Sequence, residues 1–124
     1  GSVIPTFVEQ IMMDLPVTIT NMQMTRFFLR IEDASRFVFK SSNDYMGGLK
    51  VPIMKACKIT DLADAIGSIL KKEVKFKDIG IRAGEKLHEC LKMTHEGDEI
   101  HSNTAYQFTK EQLIEIVEPI VRSL

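Results

Sequence analysis

The sequence contains no tryptophan, two cysteines and four prolines among its 124 residues. Cys57 and Cys90 lie far apart and form no C-x-x-C pair, which excludes a disulfide scaffold and points to reduced thiols in a cytosolic setting. Long apolar runs are missing too. Charge or proline interrupts every apolar stretch well short of the ~20 residues a membrane span needs, and no basic-then-apolar leader opens the chain. The expectation is a cytoplasmic segment that makes no membrane contact. Excess charge of one sign is also absent. Sixteen Lys and Arg against seventeen Asp and Glu give a formal net charge of -1, which disfavours nucleic acid as a partner, because a phosphate backbone is held by clustered positive charge. No glycine-rich phosphate loop of the G-x-G-x-x-G or G-x-x-x-x-G-K-[ST] kind occurs, and no repeat of roughly 20 to 50 residues is present.

What is present describes one ordinary globular domain over residues 1–124, with 44% hydrophobic and 27% charged residues. Such a length buries a sizeable core without metal or disulfide. Ile4, Phe7, Val8, Ile11 and Met12 recur at helical spacing behind Pro5, and Pro16 ends the pattern. Val17 to Thr20 and Arg26 to Leu29 read as short strands, Ile31 to Val38 as a helix, and Leu49 to Pro52 as a strand after the Gly47-Gly48 turn. Leu62, Ile66, Ile69 and Leu70 form one helical face, with Thr60 placed to cap it and Lys71-Lys72 to complete its negative end. Val74, Phe76, Ile79 and Ile81 alternate with polar residues as a strand. Lys86 to Lys92 reads as a short helix with Leu87 and Leu91 inward. Thr109 and Gln112 have capping-box spacing ahead of a last helix whose Leu113, Val117, Ile120 and Val121 share a face. Helical and extended segments interleave, so the fold class expected is α/β.

Two arginines stand at strand ends, Arg26 beside the start of one and Arg82 just past the end of another. A guanidinium fork matches phosphate oxygens, and two of them suit a pyrophosphate. On spacing alone, pairing with a nearby carboxylate, such as Arg82 with Glu85, is the favoured explanation of the two. Tyr106 and Lys110 have the Y-x-x-x-K spacing of an activated tyrosine base, but Thr109 caps a helix between them, so Tyr106 is read as an anchoring aromatic and Lys110 as solvated. His88-Glu89-Cys90 with His95 is rich in potential ligands, yet the two histidines are not in H-E-x-x-H register, and no metal site is expected. The seven methionines are read as core filler.

Three blocks carry a family resemblance. Gly1-Ser2-Val3-Ile4-Pro5, Met24-Thr25-Arg26-Phe27 and Gly80-Ile81-Arg82-Ala83-Gly84-Glu85-Lys86-Leu87-His88-Glu89 resemble the C-terminal half of UDP-N-acetylglucosamine 4,6-dehydratases, extended short-chain dehydrogenase/reductases of polysaccharide and nucleotide-sugar biosynthesis. Between them, Lys58-Ile59-Thr60-Asp61-Leu62-Ala63 is similar to a helix start of that family, and Gly47-Gly48 with Val51-Pro52 to its G-G-x-x-x-V-P-K segment. The resemblance covers about residues 1–92 and is weaker beyond, where Ser102-Asn103 and the last helix match the family's ending.

This resemblance implies the substrate-binding, C-terminal part of such an enzyme. The fold would be α/β with several short strands and about five helices, and the Rossmann half would be missing. The parent enzyme is a lyase that binds NADP in that half, oxidises C4 of the sugar, eliminates water across C5 and C6, and returns the hydride. The chain alone would therefore be inactive. Contacts with the UDP part carry over to Gly1, Ser2, Val3, Ile4, Pro5, Thr20, Met24, Arg26, Arg82 and Glu85. Arg26 and Arg82 would neutralise the pyrophosphate, Glu85 would accept ribose hydroxyls, and amides near Ser2 would add helix-dipole stabilisation. Ala83 stands where the family has proline, Ile53 where it has lysine, and the family's arginine before Gly1 is absent. The partners implied are a UDP-sugar and either the missing Rossmann half or a second copy of the chain. A related UDP-sugar 5-epimerase, a retaining dehydratase, or a non-catalytic binding or assembly domain are the alternatives.

Overall fold

The computed structural model describes residues 3–28, 55–92 and 99–124. The expected helix over residues 31–38, the strand over 49–52, and Gly1, Ser2, Ile53 and His95 lie outside the described residues.

Helix α1 spans Val3–Met12 and buries Ile4, Phe7 and Ile11 with Val8 packed beside them, whereas Met12, expected on the same face and as core filler, is exposed. Pro5 sits in its first turn, where amides have no intrahelical acceptor and a missing N–H costs little. Asp14 adopts φ 57° as the chain reverses into strand β1, Val17–Ile19. Gln10 closes this reversal, its Nε2 donating to Thr18 Oγ1 at 2.9 Å and its Oε1 accepting Thr18 N–H at 3.3 Å.

Strand β2, Thr25–Phe27, pairs antiparallel with β3, Lys55–Lys58, and β3 pairs parallel with the short edge strand β7, Tyr106–Gln107. Helix α2, Ile59–Leu70, leads to β4, Phe76–Asp78, which lies parallel to β1 with Val17 opposite Phe76 and Ile19 opposite Asp78. Strands β5, Cys90–Lys92, and β6, Glu99–His101, form an antiparallel ribbon. Helix α3, Lys110–Arg122, packs on α2. Leu113, Val117 and Val121 of α3 join Ile59, Leu62, Ala63, Ala65 and Ile66 of α2 and the buried face of α1 in one core. The architecture is mixed α/β, with three helices among the described residues. No helix among them is long and apolar enough to cross a membrane.

The capping box forms as the sequence predicts. Thr109 Oγ1 accepts the Gln112 N–H at 3.2 Å, and Gln112 Oε1 accepts the Thr109 N–H at 3.0 Å. Replacing Thr109 with alanine strands the Gln112 N–H at the helix start, and a loss of about 1 kcal/mol is expected. It would be read as a lower urea midpoint at unchanged slope.

Several local expectations give way to tertiary contacts. Helix α2 begins two residues earlier than a Thr60 cap would place it, with Lys58 as its N-cap and no side-chain cap. Its end is closed by the backbone of Lys71, in the left-handed region at φ 56°, while Lys72 reaches away to Met12 O at 3.3 Å and Asp14 Oδ1 at 3.1 Å. Lys72 thus completes the negative end of α1. The strand expected through Ile81 stops at Asp78. Gly80 turns the chain at φ 82°, and Ile79 and Ile81 are exposed. Tyr106, read as an anchor, is 71% exposed on the edge strand β7. Lys86 to Glu89 form no helix and Cys90 opens a strand. The carbonyls a helix would use within itself face Arg26 and the Thr25 N–H instead. Leu87 packs inward against the core, as expected.

Candidate functional site

Strands β1 and β4 are parallel neighbours, so their carboxyl ends open on the same side. Loops at the carboxyl ends of parallel strands are where α/β folds place ligands. The two loops that leave this side are held together by one hydrogen bond between residues far apart in sequence, the Thr20 hydroxyl donating to Glu85 Oε1 at 2.8 Å. Met24 Sδ lies 3.3 Å from the same hydroxyl, and Met24 is buried beneath it. Because α1 reverses into β1, its N-terminal turn, with Val3 and Pro5 exposed, is directed towards this end of the pair, whereas Ile4 is committed to the core.

Glu85 closes a tight turn over Arg82–Glu85. Its N–H donates to Arg82 O at 3.0 Å, and its Oε2 accepts the Arg82 N–H at 3.4 Å. Gly84, the third residue, has φ 83°, while Ala83 has an ordinary negative φ. That combination defines a type II turn, in which the third position needs glycine and the second favours proline without requiring it. Ala83 therefore keeps the turn, and the Arg82 side chain is left exposed at its corner. No ion pair joins Arg82 to Glu85.

Arg26 is arranged differently. Its Nη1 donates to Thr25 O at 2.7 Å and Leu87 O at 3.0 Å, and its Nη2 to Lys86 O at 2.6 Å. The guanidinium thereby fastens residues 86 and 87 to β2. Its Nε–H and the second Nη2–H meet no acceptor among the described residues.

Beneath this loop lies a polar cluster that sequence reasoning did not single out. Thr25 Oγ1 is 2.5 Å from His88 Nδ1 and 2.6 Å from Ser102 Oγ, and Ser102 Oγ accepts the Glu89 N–H at 2.8 Å. Glu89 Oε1 accepts the Phe27 N–H at 2.9 Å. Thr25 and Ser102 are both buried. The residues come from β2, the 86–89 segment and the end of β6, so although Thr25, His88, Glu89 and Ser102 each stand in stretches that carry the family resemblance, nothing in the sequence shows that they meet. Cys57, opposite Arg26 on β3, is buried. Burial, with the Asp61 carboxylate adding to it, pushes its thiol up to about 12, which leaves it unreactive near neutral pH.

The structure therefore brings Thr20, Met24 and Glu85 into contact, sets Arg82 on the same turn as Glu85, and places Arg26 against the segment that follows it.

This arrangement has relatives. The pattern of the polysaccharide biosynthesis protein family is matched over residues 1–111, and the chain belongs to that family. The match extends past residue 92, through β6 and β7 to the start of α3. The chain is 42% identical to UDP-N-acetylglucosamine 4,6-dehydratase (inverting) of Campylobacter jejuni over 95 residues, which are 73% of this chain and 27% of that protein. It is 38% identical to capsular polysaccharide biosynthesis protein CapD of Staphylococcus aureus over 112 residues, 86% of this chain and 18% of that protein. The solved structure of Pen from Bacillus thuringiensis resembles it with a TM-score of 0.68 at 26% identity, covering 94% of this chain and 44% of that one. The chain thus spans about a quarter or less of the length of these two curated relatives.

Proposed function

We propose that this chain is the UDP-sugar-binding portion of a nucleotide-sugar-modifying enzyme of the 4,6-dehydratase kind, inactive by itself. The observation that carries this reading is the bond from Thr20 to Glu85, which joins the loops at the carboxyl ends of β1 and β4 beside two arginines. In this reading Arg82, exposed on its turn, and the two remaining N–H groups of Arg26 hold the pyrophosphate. Glu85, an acceptor at both oxygens, takes hydrogen bonds from ribose hydroxyls, and Met24 supplies an apolar floor. The N-terminal turn of α1, which holds Val3, Ile4 and Pro5, adds positive dipole character to an anion site. No residue of this chain is assigned to NADP, because the sequence has no dinucleotide-binding fingerprint. The sugar oxidation and elimination are thereby attributed to residues outside it.

The test is a chemical-shift titration of the folded chain with UDP and UDP-N-acetylglucosamine. Saturable shifts are expected at residues 20–26 and 81–87. Arg82→Ala should weaken the affinity at least tenfold, about 1.4 kcal/mol. Glu85→Gln should weaken the nucleoside diphosphate less, because the amide oxygen still accepts one hydroxyl. Absence of shifts at millimolar ligand in a folded sample would overturn the reading in favour of a non-catalytic assembly domain.

A further inference from the structure

Strands β5 and β6 pair with Cys90 directly opposite His101 and Lys92 opposite Glu99. Residues two apart on a strand point to the same face, so Cys90, Glu99 and His101 emerge on one side of the ribbon. One donor atom from each, a thiol sulfur, a carboxylate oxygen and an imidazole nitrogen, lies within 4.8 Å of the other two. Glu99 Oε2 and His101 Nε2 are 3.3 Å apart, and both side chains are well exposed. We propose that Cys90, Glu99 and His101 form a binding site for a zinc-type divalent cation, a property independent of the UDP-sugar reading.

The donor set selects the cation. Magnesium and calcium are bound by oxygen ligands alone, whereas a thiolate with an imidazole and a carboxylate suits zinc or cobalt. Tetrahedral bonds of about 2.0–2.3 Å put neighbouring donors roughly 3.3–3.8 Å apart. Glu99 Oε2 and His101 Nε2 already stand at this spacing, and the remaining separations, at most 4.8 Å, close by about 1 Å through small torsional changes of the side chains. Three protein ligands leave the fourth position to water. Cys57 does not compete, since its thiol is buried and held protonated. The ligands flank Glu89 and Ser102, both members of the polar cluster beneath the Arg26 loop. A bound ion therefore joins the two strands immediately beside the contacts that fix the loop. Spacing in the sequence conceals the site, because its members are gathered by cross-strand pairing and match no helical ligand motif.

The experiment is a titration of the reduced chain with Co2+, followed in the near ultraviolet and visible, and reversed with Zn2+. One equivalent of Co2+ should produce a thiolate-to-cobalt charge-transfer band that stoichiometric Zn2+ removes. Cys90→Ser should abolish that band while circular dichroism stays unchanged, and His101→Ala should weaken binding at least tenfold. Zn2+ should raise the Tm of the parent chain and leave that of Cys90→Ser where it is. A band that never forms with excess Co2+, a band that survives Cys90→Ser, or an affinity unaffected by His101→Ala would each overturn the assignment.

Discussion

Replacing Gly67 with alanine is expected to lower stability by about 2 kcal/mol, against the sign that helix propensity alone predicts. In a solvated helix this change gains up to about 1 kcal/mol, because alanine loses less backbone entropy. Gly67 lies near the end of α2, where the chain folds back over it. A Cβ there would stand 2.3 Å from Val74 Cγ2 and 3.0 Å from Lys72 O. The carbonyl of Lys72 has little room to move, because Lys72 N–H donates to Gly67 O at 2.9 Å in closing the helix. Overpacking of this kind costs about 1–3 kcal/mol, more where a neighbour is stiff, and a β-branched valine is stiff at χ1. The clash therefore outweighs the propensity gain. Urea unfolding of Gly67→Ala, Val74→Ala and the double variant makes the cause visible. Gly67→Ala should cost clearly less in the Val74→Ala background, and the coupling measures the contact. A stabilised single variant, or equal costs in both backgrounds, would show that the segment after α2 yields freely.

Ser102→Ala is the second substitution with a large expected effect. The hydroxyl is fully buried, accepts the Glu89 N–H at 2.8 Å, and lies 2.6 Å from Thr25 Oγ1. Alanine removes the acceptor and leaves the Glu89 amide and one side of the Thr25 hydroxyl without a partner in a place water does not reach. Stranding such groups costs about 1–3 kcal/mol, and a loss of about 2 kcal/mol is expected. Because Glu89 follows the segment that Arg26 holds, the amides of residues 86–89 should also exchange with solvent faster than in the parent chain, by more than the global destabilisation alone requires. A stability change below about 0.5 kcal/mol, the range of an ordinary surface substitution, would mean that the cluster contributes little. The two substitutions lie in different parts of the fold, so their costs should add.

Both effects depend on long-range contacts, and the division between local and long-range explains what the sequence reveals. The buried face of α1, the paired faces of α2 and α3 and the Thr109–Gln112 capping box were legible because each depends on residues within about one helical turn. The α/β class and the family followed from the order of those segments and from blocks such as Met24-Thr25-Arg26-Phe27. The stretch from Lys86 to Lys92 was misread for a physical reason. Its helical spacing is real, but Arg26 and the Thr25 N–H take carbonyls of residues 86 and 87, and β6 pairs with residues 90–92. Tertiary hydrogen bonds thus displaced those a helix would have made.

The residues of the candidate site could be named from motifs, but their relation to one another could not. Thr20 and Glu85 meet across 65 positions because β1 and β4 are parallel, and Cys90, Glu99 and His101 share a face because β5 and β6 are in register. The sequence alone determined the helical faces, the cap of α3, the fold class and the family, since these rest on short-range periodicity and contiguous motifs. Only the tertiary structure decided where Arg26 donates, which helix end Lys72 closes, and which side chains converge. Hydrogen bonds and strand register between distant segments leave no periodic trace in the chain that makes them.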